Sequence, residues 1–349
     1  MKIKELVILI SVLVLVSFLM TTCQSPEVTS AKVYFQQDNI DAAEEQLLIA
    51  LEKEPQNPEV PFLLATKVYA PRRDWDKVKD MLIKASKLGP SYKEKVNKHT
   101  KRYWSEIHTE GANIFNNSIR AILPMEKDSL LSLATEKFKK ALFIKSDEVP
   151  TYNGIVKCYF MLDDTLNVKK YTEMAKENGV FDQDVIYYYF QVIWQPEYQE
   201  EALVKLTNII SEHPEALQLQ ILQIQFLSEV ERFEEALGVA KKISTENPDN
   251  TDLRFILAQI YVKTGDYESA QYEYQKVLAE NPDDVDVLLR ITEAFFQSKD
   301  WIMAEEYSRK LIELDPENVF GYDVLWKSLY NQGNKEEAEK YRQIGKSLR

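Results

Sequence analysis

The chain has 349 residues, of which 45% are apolar and 28% are charged, and its formal net charge is −13. This composition excludes a disordered or collagen-like chain, and the acidity argues against general nucleic-acid binding, which requires cations to neutralise phosphates. The nine glycines are widely separated, and no two are closer in sequence than Gly321 and Gly333. The glycine-rich loops that cradle nucleotide phosphates and the G-x-S-x-G nucleophile elbow are therefore excluded as well.

Residues 1–22 are predicted to be a signal peptide. A basic start precedes an apolar stretch from Leu6 to Met20, which fits a signal-peptide core and is shorter than the ~20 residues that span a membrane. The stretch ends in LMTTC, which resembles the lipobox of bacterial lipoproteins. The resemblance implies that Cys23 is lipidated and anchors the protein in the bacterial cell envelope, and Gln24 favours the outer membrane, facing the periplasm. An ordinary cleaved signal and an uncleaved anchor are the alternatives.

A regular period runs through the rest of the chain. Prolines recur at equal intervals, and alanines recur in step with them, at Pro214, Pro248, Pro282 and Pro316 and at Ala202, Ala236, Ala270 and Ala304. Each period contains two stretches with apolar residues three and four apart, which is the pattern of an amphipathic helix. One such helix pair cannot bury its apolar faces alone, whereas stacked pairs can. The pattern therefore predicts an all-α chain of stacked helix pairs.

This 34-residue period resembles the tetratricopeptide repeat (TPR), a helix-turn-helix unit of the same length. The resemblance implies an α-solenoid of about nine stacked units that forms a right-handed superhelix. The predicted divisions are N-terminal units 1 and 2 at 23–91, an expanded unit with an inserted loop at 92–148, five regular units at 149–318 and a capping unit at 319–349. The second unit, 58–91, contains one inserted residue relative to the others.

The expanded unit is predicted to consist of two helices joined by a loop. The first helix is expected from Glu94 to about Ile122, and the second is centred on Phe138. The sequence LPMEKD at 123–128 is predicted to form the loop, because proline usually interrupts a helix.

The sequence offers no arrangement of residues for catalysis, for a cofactor or for a metal. The three histidines, His99, His108 and His213, lie outside any H-E-x-x-H pattern, and the two cysteines form no cluster with them. Cys158 lies in an apolar helical stretch and is expected to be a buried, inert thiol. These features predict a protein that is not an enzyme and holds neither a cofactor nor a metal.

In the TPR family the first helix of each unit lines a concave groove in which peptides bind. The resemblance implies a groove that is rich in aromatic rings and amides, which suits a protein or peptide partner. The candidate partner-binding residues are Phe35, Phe62, Tyr69, Asn153, Lys157, Phe160, Tyr187, Gln191, Trp194, Gln225, Phe255, Gln259, Phe296 and Tyr330. Packing within the repeat is the alternative role for each aromatic residue. Asn153 and Lys157 occur in the reverse of the order that a dicarboxylate clamp needs, so binding of chaperone tails is not expected.

Charge is distributed unevenly along the chain. The segment from Arg72 to Arg102 has 11 basic and 4 acidic residues, a net charge of +7, whereas 182–317 has 28 acidic and 11 basic residues, a net charge of −17. The basic segment lies near the predicted lipid anchor and is a candidate for contact with anionic headgroups. Basic residues on a helix surface are usually solvated, so a surface without a partner is the alternative.

These patterns together predict a lipid-anchored scaffold that binds other proteins of the cell envelope and does not bind nucleic acid. Assembly of outer-membrane proteins, pili or secretion machinery is the expected setting. Two alternatives stay open, a glycan-capturing TPR lipoprotein of the starch-binding type and an accessory subunit of an envelope enzyme. The sequence predicts no oligomeric state.

Overall fold

The computed structural model describes residues 25–349, so the predicted signal peptide and Cys23 lie outside the described residues. Over this range the regular structure is entirely helical, which confirms the predicted all-α class, and consecutive helices form nine pairs. No helix between residues 25 and 349 combines the length and the apolar character that crossing a bilayer requires. The helices are α1 (Pro26–Gln36), α2 (Ile40–Lys53), α3 (Glu59–Leu63), α4 (Trp75–Leu88), α5 (Tyr92–Arg120), α6 (Pro124–Ile144), α7 (Val149–Met161), α8 (Thr165–Glu177), α9 (Gln183–Ile193), α10 (Gln199–Glu212), α11 (Leu217–Glu229), α12 (Phe233–Glu246), α13 (Thr251–Thr264), α14 (Tyr267–Glu280), α15 (Val285–Gln297), α16 (Trp301–Leu314), α17 (Val319–Asn331) and α18 (Lys335–Ser347).

The chain divides into two compact units, which we call the N-terminal unit and the C-terminal unit. The described part of the N-terminal unit covers 25–185 and the C-terminal unit covers 186–349, so the boundary falls inside α9. Within each unit most helices pack on those that precede and follow them in the sequence. The core of the N-terminal unit includes the fully buried Leu47 and Val78, and that of the C-terminal unit includes Ile291.

In seven of the nine described pairs the turn between the two helices follows one pattern, illustrated by the turn between α13 and α14. The backbone N–H of Asp266 donates to the carbonyl of Tyr261 (2.9 Å), and Gly265 has a left-handed φ of 80°. Asp266 then caps α14, because its side chain accepts a hydrogen bond from the backbone N–H of Ser269 (3.1 Å). Glycine adopts the left-handed conformation at little cost, whereas other residues are strained in it. The equivalent residue is not glycine in five turns, at Asp38, Arg73, Asp163, Glu231 and Lys299.

The inserted residue of the second pair is accommodated inside its first helix. After α3 the chain continues as a π-helical turn, Leu64–Tyr69, in which the N–H of Ala70 donates to the carbonyl of Ala65, five positions earlier (3.0 Å). Such a turn closes over one residue more than an α-helical turn. The carbonyl that accepts the turn-closing hydrogen bond is that of Tyr34 in the first pair and Tyr69 in the second, one position more than a full period later. The residues of this first helix that follow the insertion are therefore rotated about the helix axis relative to their positions in a regular unit.

The third pair is expanded because its helices are long, with 29 residues in α5 and 21 in α6. Only residues 121–123 separate them. The loop predicted at 123–128 is therefore wrong beyond its first residue, because Pro124 begins α6. At the first helical position the missing N–H of proline would have no partner in the helix, so proline starts this helix instead of interrupting it.

Phe138 of α6 packs closely against glycines of two neighbouring helices. A β-carbon on Gly111 of α5 would lie 2.9 Å from the Phe138 ring, and one on Gly154 of α7 would lie 2.7 Å from it. Both distances are too short for carbon atoms that are not bonded, for which the optimum is about 3.5–4.0 Å. The two glycines therefore let α5 and α7 approach the ring from either side.

Candidate functional site

The first helices of three successive pairs line a cleft of about 400 Å³ in the C-terminal unit, which we call the C-terminal cleft. α11 contributes Ile221 and Gln225, α13 contributes Ile256 and Gln259, and α15 contributes residues at the rim. The structure thus brings Gln225 and Gln259, both candidates from the sequence, into the same cleft. Because they are one full period apart, equivalent faces of α11 and α13 lie side by side.

The polar groups of the C-terminal cleft are placed for binding. The side-chain amides of Gln225 and Gln259 make no hydrogen bond to any residue of the described range 25–349. At the rim, Arg290 and Glu293 form an exposed ion pair (3.4 Å). The phenol of Tyr274 also lines the cleft and is only 1% exposed, and burial raises its pKa, so it stays neutral. The cleft therefore combines aliphatic walls with two amides that are available to an incoming ligand, and the side chain of Lys263 lines it as well.

A second cleft of about 470 Å³ lies in the N-terminal unit between the first helix of the second pair and α5, and we call it the N-terminal cleft. Its aromatic wall consists of Phe62, His99 and Tyr103. The Phe62 and His99 rings meet edge to face with centroids 5.2 Å apart, and Nδ1 of His99 lies 3.3 Å from the hydroxyl of Tyr103. Lys67, from the π-helical turn, and Arg102 also line the cleft.

Cations dominate the N-terminal cleft, and they differ in how they are paired. Arg73 donates to Glu110 (2.6 Å) and lies 3.5 Å from Glu106, so its charge is compensated. Lys67 and Arg102 form no ion pair with any part of the chain that the structure describes. Part of the basic segment of the sequence thus lines the N-terminal cleft.

The pKa of His99 reports the electrostatic character of this cleft. Burial lowers the pKa of His99 first, and the neighbouring cations Arg102, Lys98 and Lys67 lower it further. All three cations disfavour a proton on the imidazole because they already create a positive potential there. The cleft therefore favours an anion over a cation.

Tyr69 is the candidate residue for which the structure requires a correction. Its side chain is only 5% exposed and packs in the core of the N-terminal unit, and burial raises its pKa to about 12. The inserted residue is the cause, because Tyr69 occupies the position of the buried Tyr159 and Leu227 of other pairs. Lys67, two positions before Tyr69, lines the N-terminal cleft together with its neighbour Thr66.

Asn153 and Lys157, both candidates, are joined to the start of α9. Nδ2 of Asn153 and Nζ of Lys157 each donate to the Asp184 carboxylate at 3.0 Å, and Asn153 also donates to Asp182. Although burial opposes it, these hydrogen bonds lower the pKa of Asp184. The contacts give both side chains a structural role between two helices.

Trp194 packs on a neighbouring first helix. Its ring stacks on Phe226 with centroids 3.7 Å apart, and its Nε1 donates to Glu229 (2.5 Å). One ring face and the indole N–H of Trp194 are therefore occupied within the C-terminal unit.

The other candidates differ in exposure. Tyr330 is 54% exposed. Four half-buried aromatic residues pack against the apolar cores, namely Phe35, Phe62, Phe255 and Phe296. Phe160, Tyr187 and Gln191 are also half-buried.

Sequence reasoning did not select Lys67, His99 or Arg102 as site residues. Two signals pointed to them, the single inserted residue in 58–91 and the excess of basic residues up to Arg102. Neither signal identifies a cleft until the helix rotation after the insertion is known.

Thiol and metal chemistry receive no geometric support from residues 25–349. Cys158 is fully buried, as expected, and burial raises the pKa of its thiol to about 11. Within the same range, no group of three or more His, Cys, Asp or Glu side chains is arranged to hold a metal ion.

Models of the tetratricopeptide repeat family match residues 227–273 and 257–319, both in the C-terminal unit. Among solved structures the chain is similar to the C-terminal part of a TPR repeat-containing protein from Cytophaga hutchinsonii, with 17% identity and a TM-score of 0.52 over 69% of this chain and 92% of that one. This likeness supports the fold of stacked helix pairs.

Two further structural likenesses are weaker. Yeast Tom70 aligns with 93% of this chain and 91% of its own at 12% identity and a TM-score of 0.45. A MamA protein from Desulfovibrio magneticus RS-1 aligns with 53% of this chain and 95% of its own at 16% identity and a TM-score of 0.41. No curated protein matches the sequence.

Proposed function

We infer that the chain, which is a tetratricopeptide repeat protein, acts as a non-enzymatic scaffold that binds an extended segment of another protein in its C-terminal cleft. The TPR fold is consistent with a protein-interaction scaffold. The observation that carries the proposal is the pair of amides, Gln225 and Gln259, which face one cleft without an internal partner among residues 25–349.

The chemistry of the C-terminal cleft suits a polypeptide backbone. A side-chain amide both donates and accepts, so it can pair with the main-chain N–H and C=O of an extended segment whatever the side chains of that segment are. Ile221, Ile256 and Val262 supply apolar contact on either side of the amides. Since the first helices are already in place, little ordering is needed on the scaffold side, which favours affinity.

Photocrosslinking tests this proposal. A photoreactive amino acid in place of Gln259 is expected to give one adduct with a protein of the native membrane fraction, to be identified by mass spectrometry. The matched control carries the same amino acid in place of Tyr272, which is 57% exposed on the second helix α14. A distinct adduct at Gln259 that disappears in a Gln225→Glu background supports the cleft. Equal adducts at both positions contradict it.

The proposed location is the bacterial cell envelope, with a lipid anchor at Cys23. The lipobox-like sequence before this cysteine supports the anchor. Radiolabelled palmitate should enter the full-length protein and not the Cys23→Ala variant, and the matched variant Cys158→Ala should label like the wild type. Equal labelling of the wild type and Cys23→Ala would contradict the anchor.

A further inference from the structure

The N-terminal cleft contains charge that the protein itself leaves uncompensated. Arg73, at its edge, is held by Glu110 and Glu106. Lys67 and Arg102 have no such partner among the described residues. Two cations that line one concave site without forming an ion pair create a local preference for anions, even though Glu106 also lines the cleft and the net charge of the chain is −13.

Lys67 reaches the cleft because of an irregularity in the helix. The second pair contains the π-helical turn Leu64–Tyr69, whereas the first helices of the other described pairs contain no such turn. π-helical turns are rare and are found frequently at functional sites. Here the turn moves Lys67 into the lining of the cleft and Tyr69 into the core. The irregularity therefore changes the chemistry of the cleft and not only its packing.

The walls between the cations are apolar and aromatic. Phe62 and Tyr103 line the same cleft as Lys67 and Arg102, with Leu63 beside them. A small inorganic anion would leave these walls without contact. A segment that alternates carboxylates with apolar side chains satisfies both the cations and the rings.

We propose that the N-terminal cleft binds a carboxylate-rich segment of a polypeptide, with Lys67 and Arg102 pairing with its carboxylates and with the half-buried Phe62 and Leu63 packing against its apolar side chains. The site rests on the proposed function, since it assigns a second and chemically different contact to the same scaffold. Charge complementarity identifies the occupant, and its apolar residues fit the aromatic wall.

His99 provides an internal reporter of occupancy. The cations that lower its pKa face it from two elements, Lys67 from the π-helical turn and Lys98 and Arg102 from α5. Tyr103 is its hydrogen-bonding neighbour, and Glu106 is the carboxylate that lines the cleft. A bound carboxylate offsets these cations, so the pKa of His99 should rise when the cleft is filled.

Calorimetric titration of the full-length protein in detergent tests the proposal. The probe is a blocked decapeptide of five glutamates, two leucines and three serines, and the control peptide has glutamine in place of glutamate. We expect the glutamate peptide to bind and the control to bind at least about tenfold more weakly, with the difference shrinking at high salt. Equal binding of the two peptides, or binding of neither, overturns the proposal.

Variants locate the site. Lys67→Gln, which installs the residue found at this position in α11 and α13, should weaken binding of the glutamate peptide, and adding Arg102→Glu should weaken it by about tenfold or more. Lys87→Glu is the matched control, because Lys87 is a cation on α4 outside the cleft. Unchanged binding in the double variant, or an equal loss in Lys87→Glu, overturns the assignment. An unchanged helical circular dichroism spectrum establishes that the variants are folded.

Two further readouts separate this site from its alternatives. The pKa of His99, followed by NMR, should rise with the glutamate peptide and not with the glutamine peptide. Binding of inorganic phosphate without binding of the glutamate peptide overturns the proposal in favour of a small-anion site. Failure of the crosslink at Gln259 counts against the proposed function of the C-terminal cleft and leaves this result unaffected, so the two failures are distinguishable.

Discussion

The two clefts are built at the same position of the repeat and differ in chemistry. Counted from the carbonyl that closes the turn, this position holds Lys32, Lys67 and Lys157 in the N-terminal unit and Gln225, Gln259, Glu293 and Lys327 in the C-terminal unit. The core positions around it are apolar in both units. The comparison teaches that one position of the repeat, which lies outside the apolar core, sets the kind of ligand that a cleft attracts. The other positions maintain the fold.

The units also differ in regularity. The N-terminal unit contains a π-helical turn and one expanded pair, whereas the pairs from α11 to α16 follow the repeat period without insertion. The matches to the family models fall mostly within this regular region. Departures from the repeat are therefore concentrated in one unit, together with the cationic cleft.

The largest expected effect is a loss of stability in the N-terminal unit on Gly154→Ala. The new methyl group would lie 2.7 Å from the ring of Phe138, which is itself only 2% exposed and has no room to move. Overpacking of this kind costs about 1–3 kcal/mol and outweighs the better helix propensity of alanine. Urea unfolding measures the change, and adding Phe138→Leu should recover part of the loss. A variant as stable as the wild type would contradict the close approach.

The same substitution in the C-terminal unit should act in the opposite direction. Gly238 lies inside α12 and has no atom within 4 Å of a β-carbon added to it. Gly238→Ala should therefore stabilise the protein by up to about 1 kcal/mol, the difference in helix propensity. If both alanine variants change the unfolding free energy in the same direction, the contrast between the two sites is wrong.

A smaller, pH-dependent difference in stability between the two units is expected, because His99 and His108 both lie in the N-terminal unit. Burial lowers the pKa of each below its ordinary value of 6.5. The unfolded chain then binds protons more readily than the folded one, so stability is complete above about pH 6.5 and decreases as the pH falls below it. Carboxyls with a lowered pKa, such as Glu110 and Asp184, lose their contribution only at lower pH.

Hydrogen exchange measures this effect unit by unit. After correction for intrinsic rates, amides of α5 should be less protected at about pH 5.5 than at about pH 7.5, whereas those of α13 should change little. The double variant His99→Gln, His108→Gln should abolish the pH difference whatever its absolute stability. Equal protection of α5 in the wild type at both pH values would show that the two imidazoles do not control it.

The smallest effect concerns the left-handed turn residues. Lys299→Gly in the C-terminal unit should stabilise the protein by about 0.5–1 kcal/mol, because glycine relieves the strain at φ 62° but adds entropy to the unfolded chain. Arg73→Gly, at the equivalent turn of the N-terminal unit, should gain less because it also removes the contacts with Glu106 and Glu110. Thermal unfolding checks the order of the two variants, and a larger gain for Arg73→Gly would refute it.

The helix pairs could be predicted from the sequence because the apolar spacing and the recurring prolines act locally. Seven of the nine pairs in the described range close their turn with the same backbone hydrogen bond, so one period determines most of the others. Gln225 and Gln259 could be placed on one surface for the same reason, since one full period returns the chain to the same face of the repeat. Regularity is what made these inferences possible.

The misassigned features are those at which the period breaks. The sequence shows one extra residue in 58–91. Its spacing is equally compatible with a longer connection between the two helices and with a π-helical turn inside the first helix. The choice between them decides whether Lys67 or Tyr69 faces the cleft, and it depends on packing against the core. Pro124 was ambiguous for a similar reason, because proline both ends helices and begins them.

The packing of helices on their neighbours in sequence has a consequence for the order in which the chain folds. Contacts between nearby segments need only short loops to close, and such topologies fold quickly because little chain entropy is lost before the contacts form. A helix pair is stabilised by packing against the next pair along the chain and needs no contact with a distant segment. The chain is therefore suited to fold progressively, in the order in which its residues emerge from a ribosome or a translocation channel.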